Sequence, residues 1–358
     1  MEKFGFVGLP NAGKSSLYNA LTGGSALAAP YAFATTDPNI GVAKVFDKRL
    51  DALAEMSSSK KVVNASVQFT DIGGLVEGAS KGEGLGNKFL GGIREVDAIV
   101  YVLRAFTDND VPGPQDPLEH LAIVELELTY ADLDTVEKQV DKKRKAAKGD
   151  PSLRAEVEAL EEALVSLEAG TPLYRSDISA EAADTLKPYF LLTNKPVLAI
   201  VNIGEDQLEE VDDIVAPVQK ELGDIAPVFG ACIQLEAEAA QLEGDDRAEL
   251  LEGLGLGEGA MPRFIQTAYH TLGLRTYLTT GEQESRAWTY RVGSTAPECA
   301  GIIHTDLERG FICADTIRWD DLLECGSWSA ARDVGKVRQE GKDYVVEDGD
   351  VLDVRFNV

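Results

Sequence analysis

Short, unbroken apolar runs punctuate this chain: Phe4-Gly5-Phe6-Val7, residues 98–103 and residues 196–201. Four to six apolar residues without alternation read as a strand covered on both faces. Residues 67–71 and 228–231 are expected to join them, the first ending in an acid. Helical patterns and glycine-rich loops lie between these runs. The expected class is therefore α/β, with a mostly parallel sheet covered by helices on both faces. Between Val102 and Val197 the period changes. Leu126, Tyr130, Leu133, Val136 and Val140 recur at helical spacing, and Leu153, Val157, Leu160, Leu164 and Leu167 follow a four-three spacing. Gly149-Asp150-Pro151 breaks the two runs, as Gly after one helix and Pro at the start of the next should do. The pattern predicts an antiparallel helical hairpin, or short coiled coil, inserted between strands. From about Gly281 to Val358, runs such as Arg286-Ala287-Trp288-Thr289-Tyr290 and turns such as Glu347-Asp348-Gly349-Asp350 predict a small separate α+β domain.

The chemistry begins directly after the first strand. Gly8-Leu9-Pro10-Asn11-Ala12-Gly13-Lys14-Ser15 fits G-x-x-x-x-G-K-[ST] between a strand and a helix start at Ser16-Leu17-Tyr18. Glycines let successive N–H groups turn toward phosphates, and the helix N-terminus favours an anion. Lys14 is expected to reach the β- and γ-phosphates and the Ser15 hydroxyl to ligate Mg²⁺. Asp71-Ile72-Gly73-Gly74 follows at a strand end. There an Asp holds Mg²⁺ through water, and the backbone N–H of Gly74 senses the γ-phosphate. Leu75 stands where Ras-like GTPases place a water-orienting Gln, and a Leu side chain cannot hydrogen-bond water. Gly78, Gly82, Gly84 and Gly86 make the following stretch a candidate switch. Thr35 and Thr36, in Ala32-Phe33-Ala34-Thr35-Thr36-Asp37-Pro38-Asn39, are both spaced to complete the Mg²⁺ shell.

The base-reading motif departs from the guanine clamp Asn-Lys-x-Asp. Thr193-Asn194-Lys195-Pro196 contains Asn-Lys, but Val197 stands where Asp is needed and the motif precedes its strand. After the strand, Asn202-Ile203-Gly204-Glu205 keeps the Asn, lacks the Lys and replaces Asp by Glu. Adenine, or relaxed purine choice, is the expectation. Cys232 falls near the expected base pocket as an inert thiol.

Composition narrows the class. The chain has 358 residues, enough for two or three domains, and a formal net charge of -27. The acids are scattered, which fits solubility in a salty cytoplasm and argues against binding bare nucleic acid through the whole surface. Four cysteines lack metal-site spacing, and three histidines make a zinc site unexpected. No apolar stretch reaches membrane-spanning length, and no leader pattern precedes the first strand, so a cytoplasmic protein is expected. One basic cluster, Lys142-Lys143-Arg144-Lys145 with Lys138 and Lys148, falls near the hairpin tip, where it could grip phosphates. Arg286, Arg291, Lys336, Arg338 and Lys342 could do likewise in the C-terminal region.

Taken together, GLPNAGKSSLYNALT, AFATTDPN, DIGGLVEGASKGEGLGNKFL, Asn202 to Glu205, RAWTYRVGSTAPECAGIIHTDLERGF and GKDYVVEDGDVLDVRFN resemble the YchF/Obg-like ATPase family over essentially the whole chain. The resemblance implies a P-loop nucleotide-binding domain over 1–120 and 190–280, a helical insertion over 121–189, and a β-grasp (TGS-like) domain over 281–358. It implies an ATPase that prefers ATP to GTP and binds the ribosome, with the large subunit and ribosomal RNA as expected contacts, and a monomer is expected. It places Mg²⁺ on Ser15, Thr35 and Asp71 and the phosphates on Asn11, Ala12, Gly13, Lys14, Ser15 and Ser16. The base falls to Asn202, Ile203 and Glu205, and catalysis to Lys14, Asp71, Gly74 and Leu75. Family members commonly carry a His after the R-x-F that ends the fourth strand. Here Arg104-Ala105-Phe106 is followed by no His before His120, which does not match. Asn11 sits where monovalent-cation-activated relatives hold K⁺, so K⁺ is a candidate source of positive charge. The competing readings are a nucleotide-gated ribosome- or RNA-binding module with negligible hydrolysis, and a translational GTPase.

Overall fold

A computed structural model describes residues 2–23, 40–72, 85–108, 112–242 and 245–357, with the backbone alone for 85–88. The strands in the first part of the chain are β1 (Lys3–Val7), β2 (Ile40–Val45), β3 (Val62–Val63), β4 (Ala65–Asp71), β5 (Ala98–Arg104), β6 (Val197–Asn202) and β7 (Val228–Ala231). Six of them form one sheet in the order β2-β4-β1-β5-β6-β7. The pairs β1–β4, β1–β5, β5–β6 and β6–β7 are all parallel. Every residue of β5 and β6 is buried, which is why both read as continuous apolar runs. Phe4 and Phe6 point to one face, where they stack on Phe69 at 5.3 and 5.4 Å between centroids, with Phe264 beyond at 6.0 Å. Val7, Tyr101, Leu103, Ala199 and Val201 share a core with Leu121, Val124 and Leu128.

Four helices organise the site and the insertion: α1 (Lys14–Thr22), α2 (Lys48–Met56), α3 (Leu85–Arg94) and α4 (Pro117–Ala147), followed by α5 (Arg154–Glu168). Helix α4 starts cleanly because the Asp116 side chain accepts from Leu118 N–H and Pro117 needs no partner. At 31 residues it is about 46 Å long and serves two cores. Its first half presents Leu121, Val124, Leu128 and Ala131 to the sheet. Its second half presents Val136 and Val140 to Ala159, Leu160, Ala163 and Leu167. The hairpin is present, but Leu126 and Tyr130 do not belong to its seam: each is 43% exposed. Spacing of 3.6 gives the period of a stripe but not its phase, and in the first half the sheet selects a different stripe.

The handover between the two cores is marked by a buried acid. Asp132 accepts from Leu192 N–H at 2.9 Å and from Thr193 N–H and hydroxyl, both at 2.7 Å. It holds the chain returning to β6 against α4.

Residues 1–42 and 68–264 make one compact unit, and residues 43–67 and 265–358 make the other. The second contains a sheet ordered β11-β10-β12-β8-β9-β3, with β8 (Leu274–Thr279), β9 (Ser285–Arg291), β10 (Phe311–Arg318), β11 (Arg338–Glu340) and β12 (Asp350–Phe356). Antiparallel pairs β8–β9 and β10–β12 flank the parallel pair β12–β8. The helix Ala296–Ile303 buries Ala296, Cys299 and Ala300 against Tyr277, Tyr290 and Leu352, a β-grasp arrangement.

These units differ from the sequence-based boundaries at residues 43–67. Helix α2 buries Leu50 and Leu53, and β3 pairs in parallel with β9 through Val62–Ser285 and Val63–Arg286. Arg49 bridges Asp47 at 2.7 Å and Asp348 at 2.8 Å. A short amphipathic helix has the same pattern whichever sheet covers it, so the local sequence does not disclose this exchange.

Burial pushes the Asp132 carboxyl up to about 6, against the hydrogen bonds from Thr193 and Leu192. The folded chain holds this proton more tightly than the unfolded chain, so the site's contribution to stability falls as pH rises from about 4 to about 6. Asn at this position carries no such titration. The stability gap between wild type and Asp132→Asn is expected to narrow by roughly 2 kcal/mol from pH 4 to pH 7, read from denaturant melts at each pH.

Candidate functional site

The carboxyl ends of parallel strands are where ligands bind in open α/β sheets, and the glycine-rich loop sits there between β1 and α1. Its glycines are dictated by space. A Cβ on Gly8 would lie 2.4 Å from the Val102 carbonyl oxygen, and one on Gly13 would lie 2.4 Å from the Asn202 amide nitrogen. Gly13 also has φ 101°, and Asn11 has φ 63°, a left-handed conformation that Asn tolerates better than most residues. Lys14 is folded back over the loop, donating to the Gly8 carbonyl at 3.0 Å and the Leu9 carbonyl at 2.8 Å. Burial lowers its pKa to about 8, with the Asp71 carboxylate opposing the shift.

At the mouth of the loop the Ser15 hydroxyl donates to Asp71 Oδ2 at 2.7 Å. This brings the first residue pair expected for Mg²⁺ together, one from α1 and one from the end of β4. A hydroxyl and a carboxylate are hard oxygen donors of the kind Mg²⁺ takes alongside water and phosphate oxygens. Among the described residues no group of three His, Cys, Asp or Glu gathers to hold a metal. The remaining ligands would therefore come from water and the phosphates.

The other end of the site is built from β6 and β7. Asn202 closes β6, and its side chain is fully engaged: Nδ2 donates to the Ala12 carbonyl at 3.1 Å, and Oδ1 accepts from Ile233 N–H at 3.2 Å. It ties the phosphate loop to the start of the helix α6 (Ile233–Ala239). Asn194 and Lys195 lie at the opposite end of β6, where Asn194 donates to the Ala183 carbonyl and Lys195 to the carbonyls of Arg94 and Val96. The Asn-Lys of residues 194 and 195 is thus a structural turn on the far edge of the sheet.

A cleft of about 720 Å³ joins the two ends. Asn11, Gly13, Lys14, Ser15, Ser16, Asp71, Asn202, Ile203 and Glu205 all line it, as expected. Ala12 is buried behind the loop and contributes its carbonyl to Asn202. Thr35, Gly74 and Leu75 lie outside the described residues. The cleft also has walls that sequence reasoning missed: Phe106, Thr107 and Asp108 after β5, with Asp206 and Gln234. The usable signal was Phe106, an aromatic ring placed just beyond a wholly buried strand. Cys232 lines the cleft too, and burial pushes its thiol up.

Arg104, the last residue of β5, is buried and donates to the carbonyls of Phe106, Asp108 and Pro112 at 3.2, 3.1 and 3.3 Å. His120 is buried below the same loop, with Nε2 at 2.8 Å from the Pro114 carbonyl. Burial lowers the His120 pKa, helped by Arg104 and Lys14. His120 does not line the cleft.

Comparison with known proteins agrees with this geometry. A family model described as 50S ribosome-binding GTPase matches residues 3–147, and the YchF-GTPase_C model, described as a protein of unknown function, matches residues 274–357. The chain is 46% identical over 361 residues to a protein of Bacillus subtilis named ribosome-binding ATPase YchF, covering 99% of each. It is 44% identical over 363 residues to the protein of that name from Pasteurella multocida, again covering 99% of each. The solved structure of the Schizosaccharomyces pombe YchF GTPase superposes with a TM-score of 0.86 at 32% identity, covering 99% of this chain and 97% of that one.

The lowered pKa of Lys14 gives the cleft a pH signature. Below about pH 8 the ammonium is present, and above it the empty site must take up a proton to meet a triphosphate. Affinity for a purine nucleoside triphosphate is expected to weaken roughly tenfold from pH 7 to pH 9. Titration calorimetry at the two pH values measures it, and Lys14→Met should abolish the dependence along with most of the binding.

Proposed function

The chain belongs to the YchF family, and from that premise we propose that it binds and hydrolyses ATP with Mg²⁺ as a nucleotide-dependent switch on the ribosome. One observation carries the choice of base. The residues at the base end, Asn202-Ile203-Gly204-Glu205, offer no Asp-and-Lys clamp, and the Asn202 side chain is spent on Ala12 and Ile233. Guanine selection rests on a carboxylate that accepts from the N1–H and the 2-amino group together. The reading leaves adenine to be met by the backbone about Ile203 and the apolar surface of the cleft.

Lys14 and the N–H groups of the loop up to Ser16 neutralise the phosphates, the larger part of phosphoryl transfer being positioning and charge stabilisation. Mg²⁺ would be held by Ser15, by Asp71 through water, and by Thr35, and when bound it supplies positive charge to the bridging phosphate oxygens. Gly74 is assigned to the γ-phosphate, and Leu75 takes no part in orienting water. Asn11, exposed on the cleft rim, is our candidate ligand for K⁺ as a further activating charge. We assign these functions to a nucleotide domain, a helical arm and a TGS-like β-grasp domain in a cytoplasmic monomer.

The arm is our assignment for ribosomal RNA. Its basic cluster divides into two sets. Lys143 is paired with Glu156 at 2.7 Å, Arg144 with Glu161 at 2.6 Å and Lys138 with Asp134 at 2.6 Å. Among the described residues Lys142, Lys145 and Lys148 have no carboxylate partner, and all three are exposed. These three supply the charge available to phosphates, while Lys143 and Arg144 stitch α4 to α5. In the C-terminal unit Lys336 is neutralised by Asp321 and Glu324, and Arg286 by Glu284.

Two measurements test this function. Calorimetry with Mg²⁺ on nucleotide-free protein should give ATP binding at least tenfold tighter than GTP, about 1.4 kcal/mol. GTP binding tighter by that factor would make the protein a translational GTPase. Lys142→Glu with Lys145→Glu should weaken co-sedimentation with ribosomes by about tenfold, with a shallower dependence on salt, and leave nucleotide affinity unchanged. Undiminished sedimentation would remove the arm from the contact.

A further inference from the structure

Two loops form the walls at the base end of the cleft, and a single carboxamide fastens one to the other. On one side lie Phe106, Thr107 and Asp108, and on the other Ile203, Gly204, Glu205 and Asp206. Gln207 Oε1 accepts from Gly204 N–H at 2.7 Å, and Gln207 Nε2 donates to the Ala105 carbonyl at 3.2 Å. The first bond caps the short helical turn Glu205–Glu210. The second has no capping role, because Ala105 belongs to another strand's extension, 102 residues away in sequence.

The opposite wall is fixed from within. The planar Arg104 guanidinium reaches the carbonyls of Phe106, Asp108 and Pro112 from beneath, with its Cζ 4.5 Å from the Phe106 ring centroid. The backbone of Asn202 completes the frame, its carbonyl accepting from Ala105 N–H at 2.8 Å and Phe106 N–H at 3.1 Å. None of these groups reaches the phosphate loop.

We propose that Gln207 and Arg104 are positioning residues that set the separation of the two base-binding walls, so that they govern affinity for the purine and not for the phosphates. This rests on the reading of the cleft as a nucleotide site. Each residue acts through backbone that it holds. A glutamine at this position keeps both walls in register because its carboxamide has an acceptor and a donor on one rigid plane. Glutamate would lose the donor. Lysine at position 104 would keep the charge but not the fork that spans three carbonyls.

The test separates base from phosphate by using two probes on each protein, ATP and inorganic tripolyphosphate, both with Mg²⁺ at pH 7.5. Gln207→Met is expected to weaken ATP binding by about tenfold and leave tripolyphosphate within twofold. Arg104→Lys is expected to follow the same pattern, and it supplies a second variant should one of the pair fold poorly. A folding defect would weaken both probes together, and that outcome, or ATP affinity unchanged in both variants, overturns the proposal. If the wild type prefers GTP, the ATPase reading fails, while the wall test is still read with GTP against tripolyphosphate. A wild type that binds neither purine nucleotide overturns both.

Discussion

The site depends on the two hydrogen bonds of the Asn202 amide. One end of that amide holds the Ala12 carbonyl of the phosphate loop, and the other receives Ile233 N–H at the start of the next helix. The Asn202 backbone carbonyl meanwhile receives the two N–H groups that begin the loop after β5. One residue therefore fixes the phosphate end and both walls of the cleft relative to each other. Gly13 is confined by the same contact, since any side chain there would displace the amide. A buried amide with both ends satisfied is rigid and costly to disturb, so the loop that must wrap an anion starts from a fixed anchor.

The long helix α4 solves a different problem. A hairpin that projects from a sheet needs a core of its own, and it must also be joined rigidly to the body. Here one continuous helix belongs to both cores, and Asp132 ties the returning chain to it at the point where one gives way to the other. The charge at the tip follows from the same economy. Two antiparallel helices bring Lys143 and Arg144 opposite Glu156 and Glu161, so part of a cluster that looks like a ligand surface in sequence is used to close the hairpin.

Local features were legible in the sequence, and long-range ones were not. The strand–loop–helix of the phosphate site, Asp71 at its strand end and the wholly buried β5 and β6 follow from residue spacing and apolar runs, which depend on neighbours in the chain. The break at Gly149-Asp150-Pro151 was equally readable. The phase of the stripe through Leu126 and Tyr130 was not, because it is chosen by the surface the helix meets. Gln207 gave no signal either. Its importance comes from an acceptor on Ala105 that only the parallel pairing of β5 with β6 brings near. The placement of residues 43–67 in the second unit has the same origin, since neither α2 nor β3 carries a mark of the sheet it joins.

That placement has a consequence for how the chain comes into being. Residues 43–67 leave a ribosome about two hundred residues ahead of the strands they pack against. At about 5–20 residues per second, Leu50, Leu53 and the strand β3 wait roughly 10–40 s for their partners. Throughout that interval a segment with an apolar face sits between the phosphate loop and Asp71, with its own covering surface not yet made. The second unit is thus the last to close although it contains some of the first residues synthesised, and a chain that stops at Phe264 would carry a helix and an edge strand with nothing to cover them.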